Sequence, residues 1–109
     1  MSVTYSDRAS QGSAILQQAT RQLEEILGRS AGLVKAEWDR REDARGRVLY
    51  TLRLSDWTGG VVSADFTPDE LQSSSQVRYR LHRLWGDLLQ ERSQKQLEQL
   101  TGATGEVGE

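Results

Sequence analysis

Residues 48–66 read VLYTLRLSDWTGGVVSADF, and their period decides the fold. Val48, Tyr50, Leu52 and Leu54 alternate with Leu49, Thr51, Arg53 and Ser55. Val62, Ala64 and Phe66 alternate with Val61, Ser63 and Asp65. A period of two gives each strand one buried and one wet face. Between the two runs lies Asp56-Trp57-Thr58-Gly59-Gly60, whose two glycines can supply the positive φ that a hairpin needs. Strands joined by so short a link pair antiparallel.

The pattern extends in both directions. Upstream, Val34, Ala36 and Trp38 alternate with Lys35, Glu37 and Asp39, and the loop 40–46 joins this strand to the next. Residues 13–27 carry Ile15, Leu16, Ala19, Leu23, Ile26 and Leu27 within an arc of about 120° on a helical wheel. Gly28 suits the left-handed residue that ends such a helix. Downstream, Thr67-Pro68-Asp69-Glu70 combines an N-cap, a proline at N1 and a glutamate at N3, which is a capping box. Ser73 and Gln76 repeat the cap, and a helix of about 27 residues, roughly 40 Å, runs to Leu100. The expected fold is an α+β two-layer sandwich. A three-stranded antiparallel meander carries helices on one face, in the order α-β-β-β-(short α)-α. The open face, with Lys35, Glu37, Arg53 and Asp65, faces water.

A chain of 109 residues makes one domain. Its expected bounds are 12–100, with a mobile polar segment at 1–11 and a disordered Gly- and Glu-rich tail at 101–109. The net charge of −2 gives no global field that would draw nucleic acid or an anionic membrane, so either would need a local patch. The absence of cysteine excludes disulfides, thiolate catalysis and zinc–thiolate sites. Residues 1–11 contain no apolar signal-peptide core, and no apolar run approaches the roughly 20 residues of a membrane span. The expected location is the cytoplasm, with no membrane partner and no cofactor.

The catalytic vocabulary is thin. His82 is the one histidine and lies among Arg78 and Arg83, which disfavour a second cation beside it. Asp39, Glu42 and Asp43 cluster in a loop, but Arg40, Arg41, Arg45 and Arg47 interleave with them and calcium-loop spacing is missing. Gly59-Gly60 leads into a strand and is followed by no lysine at phosphate-loop spacing. No GxSxG elbow occurs. An enzyme with an unrecognised site therefore ranks third among the readings. Trp38 and Trp85 fall on apolar stripes and are expected in the core, while Trp57 sits in a turn where it either caps the core or meets a partner.

Nucleic-acid binding ranks second. Its candidate contacts are Arg40, Arg41, Arg45 and Arg47 of the hairpin loop with Arg78, Arg80 and Arg83 of the long helix. On the wheel Arg83 lies about 140° and Arg80 about 200° from Arg78, so the arginines are splayed and not gathered on one groove-reading face. The order helix, three strands, helix resembles double-stranded RNA-binding domains in topology, though the lysine-rich start of their last helix has no counterpart here. Gly32-Leu33-Val34-Lys35 and Pro68 with Leu71 are similar to stretches of small nucleoid-associated dimers, from whose plan the added strand departs. These likenesses imply a nucleic-acid partner and assign no family.

A protein-interaction module ranks first. A 40 Å helix overhangs a body built on strands of about 27 Å. Its first half carries Val77, Leu81, Leu84, Trp85 and Leu88 on one stripe. Its second half, apart from Glu91 and Lys95 placed as an i,i+4 pair, offers Leu97 and Leu100. With Leu89 these form a second stripe rotated by roughly 125° from the first, which a straight helix cannot lay on the same sheet. Leu89, Leu97 and Leu100, with Trp57, are the expected protein interface, most simply between two copies of the chain. Three leucines alone make a small interface, so Trp57 or Leu49 must add to it.

Overall fold

The computed structural model describes residues 1–107 and shows an α+β fold with a four-stranded mixed sheet. Strand β1 (Ser2–Tyr5) leads through a 3-10 turn (Ala9–Gly12) into helix α1 (Ser13–Leu27). A second 3-10 segment (Gly28–Leu33) follows, then β2 (Val34–Glu42), β3 (Val48–Asp56) and β4 (Val61–Phe66). Helix α2 (Pro68–Gln72) and the long helix α3 (Ser74–Val107) close the chain. The strand order in the sheet is β1-β2-β3-β4.

The meander is present: β2 pairs antiparallel with β3, and β3 with β4. The expectation of three strands is corrected by β1, which pairs parallel with β2 from Ser2↔Lys35 to Tyr5↔Trp38. The element order is therefore β-α-β-β-β-α-α. A parallel pair needs a crossover, and α1 supplies it. The segment 1–11, read from sequence as mobile, gives this strand, and Ala9 is fully buried. Met1, Val3 and Tyr5 pack half-buried against the core. Helix α3 continues past Leu100, where the wheel placed its end, and residues 108–109 of the expected tail lie outside the described residues.

The predicted alternation holds on β2, where Val34, Ala36 and Trp38 are buried and Lys35, Glu37 and Asp39 exposed. Tyr50, Leu52, Leu54 and Phe66 continue the apolar face. Leu16, Ala19, Leu23 and Leu27 of α1 and Val77, Leu81, Leu84 and Leu88 of α3 cover it. Trp38 is the largest fully buried side chain, with its ring 5.9 Å from that of Phe66. Its indole N–H donates to Thr20 Oγ1 at 3.0 Å, and the same hydroxyl donates to the Leu16 carbonyl at 2.7 Å. Thr20 is the one polar residue buried in the core among the described residues, and these two bonds satisfy it. Trp85, expected inside, is only half-buried against the core. Gly28 ends α1 at φ 54°, as its position implies.

The capping box forms as read. Thr67 Oγ1 accepts from the Glu70 N–H at 3.2 Å, and Glu70 Oε1 accepts from the Thr67 N–H at 3.0 Å. The other oxygen of Glu70 accepts from Arg80 at 2.8 Å, which ties α2 to α3. The backbone N–H of Thr67 holds the Glu70 carboxyl below its ordinary value, with Arg80 adding to the effect. Thr67→Ala is expected to cost about 1 kcal/mol of stability, read from a urea midpoint. An unchanged midpoint would mean the box adds nothing to the folded state.

Candidate interaction surface

The turn between β3 and β4 fixes the place where α3 leaves the body. Gly59 adopts φ 86°, which an L side chain rarely does. Sequence reasoning gave Gly60 the same role, but its φ is not positive, and its missing side chain serves clearance instead. A Cβ placed there would stand 3.3 Å from Glu91 Cβ on α3. One residue on, Arg92 Nε donates to Asp56 Oδ2 at 2.8 Å, with the Asp56 side chain 0% and that of Arg92 17% exposed. Asp56 Oδ1 also accepts from the Thr58 backbone at 3.0 Å and its hydroxyl at 2.6 Å. Burial raises the Asp56 pKa, but the hydrogen bonds from Thr58 and Arg92 outweigh it and hold the carboxyl below its ordinary value. The Arg92 guanidinium also lies 5.5 Å from the Trp85 ring centroid. This clamp was not legible from sequence, because it joins residues 36 apart.

Beyond Arg92 the helix turns to solvent over the next eight residues. Every residue from Ser93 to Leu100 is exposed. The molecule is accordingly long, 54 × 33 × 23 Å. Leu89, Leu97 and Leu100 are 39%, 63% and 66% exposed, and Trp57 in the clamped turn is 64% exposed. Trp57 follows Asp56 in the turn that is paired to Arg92, just before the exposed stretch of the helix, while Leu49 is half-buried on β3. Sequence reasoning missed Tyr79, exposed on the same outer side of α3 about 80° from Leu89 on the wheel. It also missed Gly86, about 60° from Leu89. A Cβ there would meet nothing within 4 Å, so nothing inside the fold calls for a mid-helix glycine.

Four of the seven candidate arginines are engaged. Arg41 holds Asp65 at 2.6 Å and Arg47 holds Asp43 at 3.1 Å. Arg78 lies 3.7 Å from Glu25, and Arg80 pairs with Glu70 while its guanidinium covers the Phe66 ring at 4.4 Å. Arg40, Arg45 and Arg83 make no ion pair among the described residues. On the open sheet face Thr51 donates to Asp65 at 2.6 Å and Ser6 to Asp39 at 2.5 Å. The Thr51 hydroxyl and then Arg41 hold Asp65 low against the effect of burial, and the Ser6 hydroxyl does the same for Asp39. The face is a set of closed pairs, with Lys35 and Arg53 exposed beside them.

One groove of about 740 Å³ lies between β4 and the first half of α3, lined by Ser63, Asp65, Tyr79, Arg80, Arg83 and Asp87 among others. Among the described residues no group of three or more His, Asp or Glu side chains can hold a metal ion, which includes Asp39, Glu42 and Asp43. None of the described helices is long and apolar enough to cross a membrane. His82 is exposed on α3. No protein-family model matches this chain, and comparison with the curated proteins and with the solved structures gives no match.

Proposed function

We propose that this chain is a non-enzymatic protein-interaction module that self-associates along α3. The observation that carries the proposal is the run of exposed helix beyond the Asp56–Arg92 clamp, with Leu97 on it. A helix of this length held out from its body gains little from its own fold, since isolated helical turns are marginal in water. A two-fold pairing of such helices gives each copy the packing it lacks. The nucleic-acid reading draws less support, because Arg41, Arg47, Arg78 and Arg80 already face carboxylates and offer phosphate no uncompensated charge. A cytoplasmic location belongs to the same proposal, and no helix among the described residues is long and apolar enough to cross a membrane.

Size exclusion with light scattering tests the proposal on the full chain and on the double variant Leu97→Glu, Leu100→Glu. The native chain is expected to run at twice its mass, and the variant as a monomer with unchanged far-ultraviolet circular dichroism. A native chain that stays monomeric at millimolar concentration overturns self-association. An unchanged mass in the variant removes the projecting segment from the interface.

A further inference from the structure

We infer that a second copy of this chain docks on the flank formed by the free edge of β4 and the groove side of α3, with Arg83 of each copy facing Asp87 of the other. The inference rests on the self-association reading and names the surface that carries it.

The edge is open. Strand β4 is terminal in the sheet and carries neither lysine nor proline to block pairing. The Asp56 N–H donates to the Gly60 carbonyl at 3.2 Å, and the antiparallel ladder alternates from there. Val62, Ala64 and Phe66 therefore turn their backbone groups to β3, while Val61, Ser63 and Asp65 turn theirs outward.

The flank is also self-complementary. Two contacts set the alignment of α3 over β4: Arg80 covers Phe66, and Glu91 abuts Gly60. Halfway between these anchors stand Ser63 on the strand and residues 85–86 on the helix. Arg83 and Asp87 lie on either side of that helical midpoint, one turn apart, and both line the groove. They are spaced i,i+4, yet neither forms an ion pair among the described residues. An isologous contact demands that if residue i meets j, then j meets i. A two-fold axis beside Ser63 satisfies this twice. The edges pair as Ser63 with Ser63 and Val61 with Asp65, and the helices run antiparallel with two Arg83–Asp87 contacts.

Charge reversal tests this surface separately from the projecting segment. Arg83→Asp and Asp87→Arg are each expected to weaken self-association at least tenfold, measured by sedimentation equilibrium, because each places like charges together twice. The double variant Arg83→Asp, Asp87→Arg is expected to recover the native association. An equimolar mixture of the two single variants is expected to form a heterodimer, whose charges are again opposite. Native association in both single variants overturns the inference, and so does failure of the double variant and of the mixture to recover it. Loss on charge reversal together with indifference to Leu97→Glu, Leu100→Glu would uphold the flank and remove the projecting segment. The opposite pattern would leave self-association standing and remove the flank.

Discussion

Trp38→Ala is expected to lower the free energy of unfolding by about 4 kcal/mol, the largest single effect of any substitution proposed for this chain. Trp38 is 1% exposed, sits on the strand between β1 and β3, and touches the Phe66 ring from across the sheet. Its removal leaves a cavity too deep for the surrounding leucines to fill. It also strips Thr20 Oγ1 of the indole N–H that it accepts. Domains of this size are stable by about 5–15 kcal/mol, so the variant will stand near its unfolding threshold. Urea denaturation followed by circular dichroism measures the loss. A loss under about 1 kcal/mol would mean that the core does not close around this side chain.

Asp56→Ala is expected to cost about 3 kcal/mol at neutral pH, because it strands Arg92 in a half-buried position and removes the acceptor for two bonds from Thr58. The cost carries a pH signature. The Asp56 carboxyl titrates below the ordinary aspartate value of 3.8 in the folded state. A depressed folded value contributes stability that is complete above the unfolded value and is lost as pH falls through the folded one. The gap between the native chain and Asp56→Ala should therefore be full at pH 7 and shrink below about pH 4. Urea titrations at pH 7 and pH 3 on both proteins measure it. A gap of equal size at both values would show that the ionised pair is not its source. The variant keeps an acid response of its own, since the Asp39, Asp65 and Glu70 carboxyls are also held low by hydrogen bonds in the folded state.

The legible parts of this chain are those whose signal repeats. Alternation placed Val34, Ala36 and Trp38 inside, and helical spacing placed Leu81, Leu84 and Leu88 beneath α3. The same wheel set Leu89, Leu97 and Leu100 apart from them, and all three are exposed. The N-terminal strand was not legible, because four residues show too little period to separate strand from irregular chain. Its partner also begins only at Lys35, and a parallel pair leaves no turn signature. Arg40, Arg41, Arg45 and Arg47 look like one basic loop in sequence. The register of three strands brings Arg41 to Asp65, and the turn wraps Asp43 around Arg47. Pairings that depend on register or on helix docking, such as Arg78 with Glu25, stay hidden until the elements are placed. A turn position does not decide the burial of Trp57, and the structure exposes it beside Gly60, which the clamp seats on α3.

The parallel strand pair also orders events during synthesis. Strands β2, β3 and β4 close on one another through short turns, each as soon as its second strand is made. Strand β1 is made before any of them, yet Lys35–Trp38 must leave the ribosome before its backbone has anything to pair with. Until then residues 6–33 stand between the two, and closing that longer loop costs more chain entropy than closing either hairpin. Strand β1 is thus seated only after α1 and β2 exist, and Val3 and Tyr5 stay without their sheet partners for that interval.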